Sequence, residues 1–129
     1  MNRYDYYAVS GQSLSRAASL LSEALGVPFS KHENDGEGEY YLAQLTPLSN
    51  FKLTLNSFGN TFREPGFEKY PYILQSNRVA DADAVRAKLR EIAQGIIFIR
   101  RAEVEAREYV RNYLEINGKL ELVSEKALR

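Results

Sequence analysis

The segment GIIFIRRAEVEAREYVRNYLEING (residues 95–118) decides which fold the sequence predicts, because its pattern fits two structures. It opens with Ile96–Ile99, a β-branched and aromatic run that would suit a strand closing a sheet. Apolar residues also recur from Val85 to Tyr113 at a nearly helical spacing of three and four. This spacing favours one long helix over residues 81–117, so strand and helix both remain open here.

The end of the same segment carries Asn117-Gly118, which is the strongest two-residue signal for a β-hairpin turn. A hairpin turning there would place Leu114 opposite Glu121 and would leave neither face of the strand pair cleanly apolar. The sequence therefore favours a helix that ends at Gly118 and is followed by a short extended tail.

Upstream, SLSRAASLLSEALGVPF (residues 13–29) predicts an amphipathic helix with clear ends. Ser13 can cap its start, and Gly26 can take the left-handed conformation that ends a helix. One apolar stripe at helical spacing faces the core, formed by Leu14, Ala17, Ala18, Leu21 and Leu25.

Four segments are predicted to be strands, and the first three of them alternate between apolar and polar residues. Residues 3–10 form a short tyrosine-rich strand at a sheet edge. Residues 39–46 and 51–58 form an antiparallel hairpin with one buried face. Residues 70–76 add a third strand to that sheet, with Pro71 at the start of the strand or on an edge, because proline cannot donate to a ladder.

These elements predict an α+β fold, in which a small antiparallel sheet of about four strands packs against an N-terminal helix and a helical C-terminal half. A second helix over residues 81–95, with Asp81 or Asp83 at its start, begins that half. A chain of 129 residues has the length of one domain. We therefore expect a single α+β domain over residues 1–129, with residues 103–129 inside it or as a helical extension.

The composition argues against several classes of protein. The absence of cysteine excludes disulfides and thiolate metal sites. Seventeen basic and seventeen acidic residues give zero net charge, which does not indicate general nucleic-acid binding. We find no N-terminal signal segment and no apolar run long enough to span a bilayer. We expect a cytoplasmic protein that needs no cofactor and binds neither nucleic acid nor membrane.

The stretch HENDGEGEYYLAQL (residues 32–45) places four acids two residues apart: Glu33, Asp35, Glu37 and Glu39. It is not a calcium loop, because with Gly38 at the sixth position Gln44 stands where a glutamate is required. His32 is the only histidine, and no nucleophile-elbow motif accompanies it. We therefore predict no metal site and no catalytic residue here, but a solvated acidic turn that can also serve as a partner-binding face.

The segment SFGNTFREPGFEKYPY (residues 57–72) gathers aromatic residues around an arginine between two predicted strands. Aromatic and arginine side chains on such a loop are typical of the centre of a protein interface. Phe62 and Phe67 could equally tuck under the loop as a satellite core, and both interpretations stay open. The residues predicted to bind a partner are Glu33, Asp35, Glu37, Glu39, Asn60, Phe62, Arg63, Glu64 and Phe67.

The pattern LGVPF…GEGEYYLAQ…FKLTLN…FREPGFEKYPYILQ resembles the small immunity proteins of bacterial contact-dependent growth inhibition and polymorphic toxin systems. The resemblance covers residues 14–100 and consists of the spacing of a helix, an acidic glycine turn, two strands and a loop that contains Glu64. It implies a non-enzymatic cytoplasmic protein that binds a cognate toxin domain and covers its active site or substrate surface.

Two alternatives belong to other functional classes. One is a small hydrolase or ligand-binding enzyme that uses His32 with nearby carboxylates. The other is a structural module that dimerises through the apolar seam of a helix over residues 81–117. Whether the protein is a monomer or a homodimer is left open by the sequence.

Overall fold

The computed structural model describes residues 1–36, 38–92, 95–105 and 108–128. Ten strands and two helices lie in this described part of the chain. In chain order they are β1 (Asn2–Val9), α1 (Leu14–Leu25), β2 (Ser30–Asn34), β3 (Gly38–Thr46), β4 (Ser49–Leu55), β5 (Ser57–Phe58), β6 (Thr61–Phe62), β7 (Tyr72–Asn77), α2 (Ala82–Ile92), β8 (Ile96–Glu105), β9 (Tyr109–Ile116) and β10 (Lys119–Ala127).

Eight of the strands form one antiparallel sheet in the order β10-β9-β8-β1-β7-β4-β3-β2. Strands β5 and β6 form a separate two-stranded ribbon. The predicted fold was therefore wrong in two respects: the sheet has eight strands rather than about four, and the C-terminal half is mostly strand rather than helical. The tyrosine-rich strand β1 lies in the interior of the sheet, between β7 and β8, and not at an edge.

Helix α1 forms where its local signals place it. The Ser13 side chain accepts a hydrogen bond from the Arg16 backbone N–H at 3.2 Å, which caps the start. Gly26 ends the helix at φ 67° in the left-handed conformation. The predicted apolar stripe is buried or packed against the core, which confirms the predicted face.

Helix α2 begins at Ala82 and is capped by Asp81, the first of the two acids considered for its start. The Asp81 carboxylate accepts from the Ala84 backbone N–H at 3.3 Å, while Asp83 instead pairs with Arg101. Both helices pack on the same face of the sheet, where Leu21 and Leu89 join side chains from β1, β4 and β7 in the main core.

The three predicted strands around the central hairpin are confirmed. Strands β3 and β4 pair antiparallel, with Tyr40 opposite Thr54, and β7 continues the sheet beside β4. Pro71 lies just before β7, where its missing N–H costs no ladder bond. A strand that the sequence did not predict, β2, pairs with β3 and makes the acid-rich stretch a hairpin.

The segment after Gly95 is a strand, so the single helix over residues 81–117 does not form. Strand β8 pairs with β1 along its whole length, from Asn2 opposite Val104 to Val9 opposite Ile96. The β-branched run gains backbone partners and side-chain burial in this position, and these tertiary contacts outweigh the helical spacing of its apolar residues.

Asn117-Gly118 is a hairpin turn, contrary to the helix expected there. Both residues have positive φ, 53° and 81°, as the common two-residue hairpin turn requires. Leu114 does face Glu121, in the register that the sequence argument had rejected. The mixed pattern is tolerated because most residues of β9 and β10 are exposed or only partly buried, so neither face has to be apolar.

The second face of the sheet carries no helix and is covered in part by the β4–β7 loop (residues 56–71). Phe67 and Tyr70 of this loop pack with Tyr6 on a small second cluster formed by buried residues of three strands, Ala8, Ile73 and Ile99. Of the two interpretations of Phe67, the structure therefore supports the satellite core. Neither described helix is long and apolar enough to cross a membrane.

Candidate partner-binding surface

The acidic turn (residues 33–39) and the β4–β7 loop lie at the same end of the sheet. Strand β3 begins at Gly38 and strand β4 ends at Leu55, and Tyr40 is paired with Thr54. Because the strands are antiparallel, the residues before Tyr40 and those after Thr54 leave the sheet at the same end. The two segments that the sequence predicted to bind a partner are therefore brought together by the β3–β4 pairing.

The acidic turn is more ordered than a solvated loop. Glu33 lies opposite Glu39 in the β2–β3 ladder, and Lys31 lies 3.6 Å from Glu39 in an exposed ion pair. Glu33 and Asp35 are exposed. The fourth predicted acid, Glu37, lies outside the described residues.

His32 sits on the exposed part of the same hairpin. Its ring stacks on Tyr40 at a centroid distance of 5.4 Å, and its Nε2 lies 3.2 Å from the Ser30 hydroxyl. No cluster of three or more His, Asp or Glu side chains that could hold a metal ion occurs within residues 1–36, 38–92, 95–105 and 108–128. The surroundings of His32 are those of a surface histidine stacked on a neighbouring ring.

Strands β5 and β6 present two phenylalanines to solvent. Ser57 pairs with Phe62 and Phe58 with Thr61, so the short ribbon holds its backbone in one shape. Phe58 is 49% exposed and Phe62 41% exposed, which is unusual for such large apolar rings. Asn60 is exposed in the turn between them.

Arg63 stiffens this ribbon. Its guanidinium lies 4.8 Å from the centre of the Phe58 ring, and its Nε donates to the Leu55 carbonyl at 2.9 Å. Its Nη2 is buried and has no hydrogen-bond partner in the part of the chain that the structure describes. Phe58 was not among the residues predicted to bind a partner. The sequence signal that could have included it is its position five residues before Arg63, because the two side chains stack in the folded ribbon.

The β4–β7 loop is fastened to the sheet by Asn56, which is fully buried. The Asn56 amide donates to the carbonyls of Phe67 and Tyr70, both at 2.9 Å, and its oxygen accepts from the Glu64 backbone N–H at 3.1 Å. One side chain therefore satisfies three backbone groups of the loop, and the loop takes a single path over the sheet.

Glu64 lies beneath this surface rather than on it. Its carboxylate pairs with the Arg100 guanidinium at 3.0 and 3.3 Å, and Arg100 in turn lies 3.8 Å from the centre of the Tyr6 ring. Glu64 and Phe67 hold the loop in place, while Phe58, Phe62 and the backbone around Asn60 face outward.

The loop contributes a further acid that was not predicted. Glu68 is exposed, and the Gly66 backbone N–H donates to its carboxylate at 3.0 Å. This hydrogen bond lowers the pKa of Glu68 from its ordinary value, so the group stays ionised at neutral pH. Three exposed acids, Glu33, Asp35 and Glu68, therefore lie at this end of the sheet.

The sequence matches no protein-family model and no curated protein. The function must therefore be argued from this surface alone: an acidic hairpin tip beside a pre-shaped ribbon with two exposed phenylalanines.

Proposed function

We propose that this protein is a cytoplasmic immunity protein, which binds a cognate bacterial toxin domain and neutralises it by covering the toxin's active site or substrate surface. The observation that carries this proposal is the position of the acidic turn and of two exposed phenylalanines at the same end of the sheet. An inhibitor of this kind needs no reaction of its own.

The phenylalanines supply the affinity in this proposal. Aromatic side chains near the centre of an interface account for most of the binding energy in many complexes. The β5–β6 pairing already fixes the backbone of both phenylalanines, and Arg63 stacks on the Phe58 ring. Little side-chain entropy is then lost on binding, which favours high affinity.

The acids supply the association rate and the choice of partner. Many toxin domains are nucleases, whose substrate clefts are basic because they bind phosphates. Glu33, Asp35 and Glu68 would attract such a cleft before contact, and the acidic turn would then occupy the track of the phosphates.

The proposal is tested with the protein encoded by the gene next to this one, purified as the candidate toxin. Phe62→Ala should weaken the complex by about 2 kcal/mol, or about thirtyfold in the dissociation constant measured by calorimetry. Leu48→Ala is the matched control, because Leu48 is a 69% exposed apolar residue in the β3–β4 turn at the opposite end of the sheet. Leu48→Ala should leave the affinity unchanged, and equal losses in the two variants would contradict the proposed surface.

A second measurement isolates the role of the charge. The double variant Glu33→Lys, Asp35→Lys should slow association by about tenfold at low salt and reduce its dependence on salt concentration. Glu121→Lys, on the distant β9–β10 hairpin, is the matched control. An association rate that is unchanged by the double variant would count against an acidic docking face, and a toxin domain that does not bind the wild-type protein would refute the proposed function.

The alternative of a dimerising helix over residues 81–117 is not retained, because residues 96–105 form β8 in the sheet.

A further inference from the structure

A cavity of about 320 Å³ lies on the helical side of the sheet, between α2 and strands β1, β8 and β9. It is lined by Tyr7 at its floor, by Arg86 and Arg90 of α2, and by Glu115 of β9. None of these residues belongs to the proposed partner-binding surface. The cavity is within the size range of small-molecule sites, and its volume is that of about ten water molecules in the liquid.

Tyr7, one of the residues that line the cavity, carries a buried hydroxyl. Tyr7 is 1% exposed, and its Oη has no hydrogen-bond partner among the described residues. Burial raises the pKa of Tyr7 above its ordinary value, and the nearby Asp5 charge raises it further, so the hydroxyl keeps its proton and remains a donor. Buried polar groups are normally hydrogen-bonded, and a lone buried donor indicates a missing acceptor.

The wall of the cavity carries more donors than acceptors. Arg86 and Arg90 both pair with the single carboxylate of Glu115. Two guanidiniums offer ten N–H donors, whereas one carboxylate accepts about four hydrogen bonds. The Arg86 Nε is itself buried and unpartnered in the described part of the chain. The neighbouring acids do not supply the missing acceptors, because Asp5 and Asp83 are bound by Arg101.

The remaining lining is apolar. Leu89 of α2 and Ile96 and Phe98 of β8 face the same space, and Phe98 meets the Tyr7 ring edge-on at 5.4 Å. The cavity therefore combines a donor-rich positive wall with an apolar wall, which suits a ligand with an anionic head and a small apolar body.

We propose that this cavity binds a small organic anion, whose carboxylate or phosphate head accepts hydrogen bonds from Tyr7 Oη and from Arg86 and Arg90, while its apolar body packs on Leu89, Ile96 and Phe98. The anion completes the hydrogen bonding of a hydroxyl that has no partner among the described residues.

The probes are benzoate and phenyl phosphate, which differ in the head group, and benzamide, which has the shape of benzoate without its charge. In NMR titrations, benzoate or phenyl phosphate should bind saturably with a dissociation constant of about 1 mM or lower, and benzamide should bind about tenfold more weakly. The stronger of the two anions identifies the preferred head group. Absence of saturable binding by both anions, or equal binding of benzamide, would overturn the proposal.

Two variants locate the binding. Tyr7→Phe removes only the hydroxyl and should weaken anion binding about fivefold. The free energy of unfolding of this variant should not fall, because the group that is removed has no hydrogen-bond partner among the described residues. Arg90→Gln should weaken binding by a similar factor, and since Arg90 is about half exposed this variant should fold even if Tyr7→Phe does not. Lys88→Gln removes the same charge from the same helix outside the cavity and is the matched control. Equal affinity of the wild-type protein and Arg90→Gln would place the anion elsewhere and refute the site.

Discussion

Replacement of Asn56 by alanine tests how the β4–β7 loop is held. The change removes three hydrogen bonds to backbone groups, at 2.9, 2.9 and 3.1 Å, from a side chain that is fully buried. Each buried group left unsatisfied costs about 1–3 kcal/mol. Water can reach some of these groups once the loop loosens, so we expect a loss of about 3 kcal/mol in the free energy of unfolding.

The assay is urea denaturation of the wild-type and variant proteins, followed by thermal unfolding. For a domain of this size a loss of about 3 kcal/mol corresponds to a melting temperature lower by about 12 °C. Hydrogen exchange gives a local measure, because the Glu64 amide donates to Asn56 and should exchange faster in the variant. Partner affinity should also fall, although Asn56 contacts no partner, because the phenylalanines would lose their fixed position.

Two further variants make the test specific. Asn56→Asp keeps the acceptor for the Glu64 N–H but turns a carboxylate towards two carbonyl oxygens, so it should destabilise at least as much as alanine. Asn60→Ala, at an exposed position of the same loop, should change stability by no more than about 0.5 kcal/mol. A loss below about 1 kcal/mol in Asn56→Ala would refute the reasoning, because the loop would then be held by other contacts.

Two predictions concern the ion pairs between β1 and β8. Asp5→Asn should cost about 3–5 kcal/mol in guanidinium denaturation, because it leaves the buried Arg101 guanidinium with only the exposed Asp83 as an anionic partner. The double variant Asp5→Leu, Arg101→Met should cost less than Asp5→Asn, and a larger cost would contradict this account. In the Glu103→Gln variant, the free energy of unfolding should fall less steeply from neutral to acidic pH than it does in the wild-type protein. Denaturation measured across that range tests this, and an unchanged pH profile would exclude Glu103 as the source of the pH dependence.

The sign of the Glu103 effect follows from its pKa. Burial raises the pKa of this carboxyl, but the hydrogen bonds from Arg3 and Tyr113 lower it by more, so it lies below its ordinary value. Folding therefore favours the ionised form. The stabilisation is complete above the unfolded pKa of about 4.3 and is lost as the pH falls through the lower pKa of the folded state.

The elements with complete local signals could be predicted from the sequence. Helix α1 has a capping serine, an apolar stripe and a terminating glycine, and these signals act within a few residues. The β3–β4 hairpin was equally clear, and its register alone places the acidic turn beside the β4–β7 loop. The position of the candidate surface therefore followed from local patterns.

The C-terminal half could not be predicted in this way, because its structure depends on partners distant in the chain. Strand β8 forms because β1 is available as its partner. The Asp5–Arg101 ion pair joins residues that are distant in the sequence and allows a carboxylate in the interior of the sheet. Without knowledge of this partner, a strand that contains Asp5 was predicted to lie at an edge. The hairpin of β9 and β10 lacks an apolar face, and its residues are exposed or only partly buried. The anion cavity combines three such distant segments, and no spacing in the sequence indicates it.

The interior position of β1 has a consequence for the order in which the protein folds. Strand β1 does not pair with the strands that follow it most closely in the sequence: Tyr4 pairs with Asn77, and Asn2 pairs with Val104. Contacts between such distant segments are slow to form. The centre of the sheet therefore closes only after β7 and then β8 have been synthesised, and before that the tyrosine-rich strand β1 lacks its pairing partners.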